Sequence, residues 1–477
     1  MSLRFLPLLL LAPAVAWSEP CTLDVAPAAT LLVPYVSVEM KGEMPDPSGA
    51  STILRVTNTA AEAALIQLTI WSADGVPALA LTEVLSGYDM WTLNFRDVLS
   101  GQWSAFDTSR DDKAWPNKDY QYPLIRKTFE WGPDGRSGFL APAPFMVPYP
   151  TGLPLPQKTT VTPGGGCGMP YGDAAGLAAA PALVQALQAP LVARTHTGCD
   201  DWTYVFHPDG WLSKLGPDPL FFYATVDVVK ACTSDDPADP GYLDGTLADR
   251  NVLIGDVLYL GGAKGTLEPI AAVHIQARLA EEGAANARGL YEATTGVEDR
   301  REPLPAAFAI RYANQTTATA RFPRQSALML WKTSSELAGA DEVEDCGSYM
   351  YYAWDENEHV VTHGLSCPIG ECATVLDPNL FPFRTQLVPL DADNFDLPAP
   401  SGWLLLILPP SYAGFSDDPT PDAPPPSGMQ GFAAVRHEVT LPGGIGAAWE
   451  PAAVMGSAHC QDRPRDPAIP RRRLSRH

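Results

Sequence analysis

Residues 53–75, ILRVTNTAAEAALIQLTIWSADG, constrain this chain more than any other stretch. Leu54, Val56 and Asn58 fall on one side of an extended chain and Ile53, Arg55 and Thr57 on the other, because successive side chains of a strand point to opposite faces. After NTAAEA the alternation resumes, with Ile66, Leu68 and Ile70 opposed to Gln67 and Thr69, until Asp74-Gly75 supplies hairpin-turn chemistry. The expectation is two neighbouring antiparallel strands with one face buried. A paler copy begins at Ile310: Ile310-Arg311-Tyr312-Ala313-Asn314 matches Leu54-Arg55-Val56-Thr57-Asn58, and Trp331 matches Trp71. The interval from Asn to Trp is 13 positions in the first copy and 17 in the second.

Strand-length runs surround both copies. TLLVPYVSVEM (30–40) and GYDMWTLNFRDVL (87–99) flank the first, with Pro34 favouring an edge position. EHVVTH (358–363), RTQLVPL (384–390), GWLLLIL (402–408) and QGFAAVRHEVTL (430–441) follow the second. With 48 Pro and 39 Gly, the chain is punctuated too often for long helices, and short strands between turn clusters are the mark of β-sandwiches. The expected class is mainly β: two β-sandwich (Ig-like) domains with long irregular loops and one or two short helices. Each copy would give two adjoining strands to its own core. The first domain is expected over 24–280, with insertions at 100–135 and 158–200, and the second over 285–460, with a break near AEEGAANARG (280–289). The best helix is GDAAGLAAAPALVQALQAPLVAR (172–194), limited by Pro181 and Pro190.

FFYATVDVVKACTSDDPADPGYL (221–243), NVLIGDVLYL (251–260) and DRREPLPAAFAIRYAN (299–314), with the early Leu31–Val36 strand, Asn58 and Trp71, resemble a family of uncharacterised, exported, β-rich bacterial proteins. The shared motifs are strands and turns without a catalytic signature. The resemblance implies export and a sandwich-like architecture, and no activity.

The first residues, MSLRFLPLLLLAPAVAWSEPC, read as an export signal cleaved after Ala14-Val15-Ala16, so that 1–16 is a leader. Its apolar run is shorter than the roughly 18 residues that span a bilayer, and WLLLIL (403–408) is only strand-length. No transmembrane segment is expected. Lys and Arg number 32 against 55 Asp and Glu, a formal charge of −23 that repels nucleic acid. The basic 461–477 end reads as a disordered tail. In an exported chain eight cysteines point to disulfides. Cys199 with Cys232 is the first candidate pair and would stabilise by about 3–4 kcal/mol. Cys346 with Cys367 or Cys372 is the second.

Chemistry is sparse. There is no G-x-S-x-G elbow, P-loop, dinucleotide fingerprint or H-E-x-x-H helix, although triads assembled from distant residues leave no such trace. His359 and His363 would stand about 13 Å apart on a strand, too far to share a metal. Cys346, His363, Cys367 and Cys372 form a Cys3His collection for which export favours disulfides over zinc. Asp391, Asp393 and Asp396 are oxygen ligands of the kind calcium takes, without the Gly and closing Glu of an EF-hand. Solvated turns capped by Asp are the preferred reading of this loop, with calcium the alternative, and no cofactor is expected. Residues 103–131 carry Trp103, Phe106, Trp115, Tyr120, Tyr122, Phe129 and Trp131 among charged neighbours, which suits a surface that stacks sugar rings. The preferred reading is that the long loop folds back over the sandwich and these rings form its own small core. Two functions follow: an exported, non-catalytic structural or interaction protein of the cell envelope or surface, periplasmic or extracellular, or a carbohydrate-binding and even carbohydrate-acting protein using Trp103, Trp115, Tyr120, Tyr122 and Trp131. The partner class is a glycan or an envelope component.

Overall fold

The computed structural model describes residues 26–101, 181–188, 191, 195–197, 203–205, 219–231, 236–239, 241–261, 266–277, 289–291, 299–315, 322–333, 350–357, 360–361, 374–375, 381, 383–391, 394–395, 397, 399–408, 429–441 and 444–454. The protein is mainly β, with several antiparallel sheets and few helices. Sheet I runs in the order β12 (Val273–Ile275), β1 (Thr30–Lys41), β9 (Pro219–Val229), β4 (Ala64–Trp71), β5 (Pro77–Leu85), with β2 (Met44–Pro45) paired onto β1. Sheet II is β11 (Leu267–Ala271), β10 (Leu253–Leu260), β3 (Ser51–Asn58), β6 (Met90–Asn94). Sheet III is β16 (Val360–Val361), β15 (Met350–Asp355), β19 (Ser401–Ile407), β13 (Ala307–Ala313), β22 (Ala453–Val454), with β17 (Thr374–Val375) also on β15. Sheet IV is β18 (Thr385–Pro389), β14 (Arg324–Lys332), β20 (Gly431–Leu441), β21 (Gly444–Pro451), and β7 (Thr195–Thr197) pairs with β8 (Thr203–Val205).

The two repeated strands are not a hairpin, contrary to the expectation from their spacing. β3 pairs with β10 and β6, while β4 pairs with β5 and β9 in the other sheet. The second copy does the same, β13 lying between β19 and β22 and β14 between β18 and β20. The order β10-β3-β6 over β9-β4-β5 thus recurs as β22-β13-β19 over β20-β14-β18. The true hairpin joins β4 to β5, where Gly75 takes a φ of +92° that glycine adopts without strain.

Asn is what turns each repeat into an arch between sheets. Asn58 is fully buried: its Oδ1 accepts from the Ala60 amide at 3.0 Å, and its Nδ2 donates to the carbonyls of Glu62 at 2.7 Å and Ser86 at 2.9 Å. Ser86 is the residue after β5, and the Asn58 amide itself donates to Asp89, the residue before β6. Asn314 repeats this arrangement. Its Oδ1 accepts from Ser326, its Nδ2 donates to Leu390, the residue after β18, and its amide donates to Pro400, the residue before β19.

Replacing Asn58 by Ala takes the donor from the Glu62 and Ser86 carbonyls and the acceptor from the Ala60 amide, and is expected to cost about 2–3 kcal/mol in urea unfolding. Asn58→Asp, nearly isosteric, is expected to lose at least as much at pH 7, because a carboxylate then faces those carbonyls. An Asn58→Asp protein as stable as the wild type would disprove the clasp.

Sheet I is buried on both faces, again beyond what alternation suggests. Leu31 reaches toward Gly255 of sheet II, and Phe222 meets Phe95 of the short helix α1 (Phe95–Leu99) edge-on, with ring centroids 5.5 Å apart. α1 occupies the end of a stretch expected to be strand; Asn94 caps it by accepting from the Arg96 amide. The opposite face carries Thr30, Gln67, Thr69, Trp71, Thr225 and Asp227, every one of them buried. This polar face is covered rather than solvated, which is why Gln67 and Thr69 mislead. Pro34 is interior as well. It sits at a bulge in β1 between Val33 and Val36, where a missing N–H costs no ladder bond, and its freed carbonyl accepts from the Thr385 hydroxyl of sheet IV.

Two cores result. One is drawn from sheets I and II, from Leu290, Tyr291 and Leu304, from Leu183, Val184 and Leu187 of the helical residues 181–188, and from one face of sheet IV through Met329, Trp331, Phe383, Phe432 and Ala434. The other lies between sheets III and IV and is built on Phe308, Ile310, Leu328, Leu330, Phe381, Leu404 and Val435. Alternate residues of β14 therefore serve different cores.

Candidate functional site: two closed polar constellations

β9 is apolar along its length except near Asp227, and that lone acid is the centre of a buried polar network. Thr30 donates to Asp227 Oδ1 at 2.5 Å, and the hydroxyls of Tyr242 and Tyr291 donate to Oδ2 at 2.9 and 2.8 Å. Tyr242 arrives on a single π-helical turn, Tyr242–Thr246. Arg301, with no exposed surface, donates from Nε to Thr30 Oγ1 at 2.6 Å and from Nη2 to the Ala248 carbonyl at 2.9 Å, and it pairs with Asp249 at 3.3 Å. Asp299 accepts from the amides of Tyr291 and Arg301, and Gly289 lies so close to its carboxylate that a Cβ there would collide.

Burial pushes the Asp227 carboxyl above the usual range, against the opposing pull of Arg301 and the three hydroxyl donors. The same burial raises both tyrosines well above their ordinary value, so they stay protonated as donors. Every oxygen of Asp227 is thus engaged from within the protein. The arrangement holds the segment carrying Arg301 against β1 and β9, and it offers no free acid or base.

The second constellation joins Ser326, His437 and Glu450. Ser326 Oγ is 3.1 Å from His437 Nδ1, and His437 Nε2 is 3.2 Å from Glu450 Oε2. A serine, an imidazole and a carboxylate in series suggest acyl transfer. The surroundings of the serine argue otherwise. Ser326 is 3% exposed, its Oγ accepts from the Ala313 amide at 2.9 Å and lies 3.1 Å from the Ala313 carbonyl, and its own amide donates to Asn314. The hydroxyl closes the second arch, held there by its two contacts with the Ala313 backbone.

Trp103, Trp115, Tyr120, Tyr122 and Trp131, all eight cysteines, Asp393, Asp396, His359 and His363 lie outside the described residues. Asp391 is described, and its Oδ1 accepts from the amide and the side chain of Asn394 at 3.1 and 2.9 Å, the bonding of a turn cap. Among the described residues no group of three or more His, Cys, Asp or Glu is arranged to hold a metal ion. No described helix is long and apolar enough to cross a membrane. The Asp227 network was missed in the sequence, although one acid in an otherwise apolar strand was its visible sign. Ser326, His437 and Glu450 left no sign, since their spacing carries no pattern.

No family model matches the chain, and no curated protein matches it. Among solved structures, an α-L-rhamnosidase of Streptomyces avermitilis complexed with L-rhamnose aligns with 90% of this chain and 29% of its own length, at 9% identity and a TM-score of 0.14. A likeness that slight carries no argument about fold or activity.

Proposed function

We propose that this chain is an exported, non-catalytic structural or interaction protein of the cell envelope or surface, built from two Ig-like β-sandwich domains and stapled by disulfides. The carrying observation is that its two best-equipped polar constellations are closed. Asp227 and Ser326 spend their hydrogen bonds on holding strands and arches together. The recurring six-strand order, with Asn58 and Asn314 in equivalent clasps, supports a duplicated sandwich whose halves divide between 24–280 and 285–460.

The test has two arms on the secreted protein. A fluorophosphonate probe is expected to leave Ser326 unlabelled, and a non-reducing peptide map is expected to show the cysteines paired, including Cys199 with Cys232. Stoichiometric labelling of Ser326 would make the protein an enzyme; free thiols throughout would remove the export and disulfide reading.

Carbohydrate binding is a second reading, favoured by one observation among the described residues. The outward side of sheet III carries an aromatic row in which Arg311 lies over the Trp403 ring, 5.9 Å from its centroid, and Tyr352 stacks with Trp354 at 6.0 Å. Rings beside charged groups suit sugars, which present apolar faces ringed by hydroxyls.

A further inference from the structure

GWLLLIL reads as a strand with both sides apolar, and β19 buries only one of them. Gly402, Leu404, Leu406 and Leu408 face the core, while Trp403, Leu405 and Ile407 face outward. Registration places Trp403 directly between Arg311 of β13 and Trp354 of β15, and Leu405 between Ala309 and Tyr352. Directly opposed side chains on one sheet face stand about 5 Å apart at Cβ. The result is two adjacent cross-strand rows, Arg311-Trp403-Trp354 and Ala309-Leu405-Tyr352. Trp403 is 43% exposed.

β13 contributes small residues beside this ridge: Ala307, Ala309 and Ala313 share the outward side with Arg311, and Ala453 of β22 continues the low ground next to Ala309. A wall of aromatic rings thus rises from a floor of alanines. At one end Arg311 pairs with Glu356 at 4.0 Å, both side chains about half exposed, so the polar rim is neutral in sum and offers both donors and acceptors.

We propose that this step on the outer side of sheet III is a binding subsite for a neutral hexopyranose chain, with Trp403 and Trp354 stacking on sugar faces and Arg311 and Glu356 taking hydroxyls. It rests on the carbohydrate reading above and assigns the contact to sheet III rather than to residues 103–131. Charge selects the occupant: Arg311 is already neutralised, and a chain of net charge −23 disfavours an anionic polysaccharide. A protein partner fits less well, because the outward apolar surface centres on one tryptophan and its half-buried neighbours, whereas a stable interface needs about 800 Å² from each side.

Affinity electrophoresis of the full chain in gels carrying a soluble neutral β-glucan or a galactomannan tests it. The wild type is expected to be retarded in at least one gel. Trp403→Ala and Trp354→Ala are each expected to weaken that binding about tenfold, while Trp115→Ala is expected to leave it unchanged. Melting temperature is followed for every variant, and Trp403→Ala, at an exposed site, is expected to melt as the wild type does. Retardation that survives Trp403→Ala and Trp354→Ala but is lost in Trp115→Ala or Trp131→Ala overturns this subsite and leaves the carbohydrate reading standing. A wild type that no neutral polysaccharide retards overturns both.

Discussion

Arg301→Met is expected to lower the unfolding free energy by about 3–5 kcal/mol at pH 8, the cost of stranding a buried charge. The guanidinium is enclosed with Asp227 in the first core, linked to it through the Thr30 hydroxyl. Met fills much of the arginine stem's volume, so the loss is chiefly electrostatic. Burial already raises the Asp227 carboxyl, with Arg301 the first of the influences that hold it down. Removing Arg301 raises it further. A carboxyl whose folded pKa lies above its unfolded value favours the folded state at pH below the unfolded value, about 3.9 for Asp, and that favour is lost as pH rises through the folded pKa. The Arg301→Met deficit should therefore be largest at pH 8 and shrink toward pH 4 as Asp227 takes up a proton. Asp227→Asn added to Arg301→Met should recover a large part of the loss at pH 8 and little at pH 4. Urea titrations of the single and double variants at both pH values measure this. A deficit independent of pH, or no recovery in the double variant, would mean that Arg301 acts only by filling space.

Much of the architecture was legible in the chain, and the misreadings have physical causes. Alternation locates β1, β3, β4, β13, β18, β19 and β20, because a period of two survives in any strand with one apolar side. Pairing is another matter. Which strand hydrogen-bonds to which depends on the connection, and NTAAEA lacks the φ > 0 residues of a two-residue hairpin turn, a sign that the chain was leaving the sheet. The repeated Asn was visible as a motif, but its role needs the carbonyls of Ser86 and Leu390, which come from remote strands. Likewise Gln67 and Thr69 look solvated until Tyr242, Tyr291 and sheet IV are seen to cover the side of sheet I that they share with Asp227. The aromatic step was half legible: the apolar outward set Trp403, Leu405 and Ile407 was present in GWLLLIL, but its neighbours come from β13 and β15 through registration alone.

The repeated tryptophans bear on whether the two halves unfold together. Trp71 stacks parallel on Tyr223, with centroids 5.6 Å apart and planes 3° from parallel, and Trp331 meets the same ring edge-on at 5.7 Å and 72°. Tyr223 of sheet I thus lies between the ends of both copies, where sheet IV closes over sheet I. Phe221 against Phe383 extends the same contact, and the two-pronged Arg436–Glu268 pair ties sheet IV to sheet II. Trp71→Ala and Trp331→Ala should each cost about 3–5 kcal/mol as large-to-small core changes. The double variant should lose less than the sum by about 0.5–1.5 kcal/mol, because both rings act on Tyr223. Phe substitutions separate the two positions. Trp71 Nε1 donates to Thr225 Oγ1 at 3.0 Å, whereas Trp331 Nε1 has no partner among the described residues. Trp71→Phe is therefore expected to cost about 1 kcal/mol more than Trp331→Phe. Because Trp331 belongs to β14 yet sits in the first core, Trp331→Ala should shift a single cooperative transition seen alike by calorimetry and far-ultraviolet circular dichroism. Two transitions, only one of them moved, would show that each half unfolds alone and that the aromatic contact between sheets I and IV adds little to either.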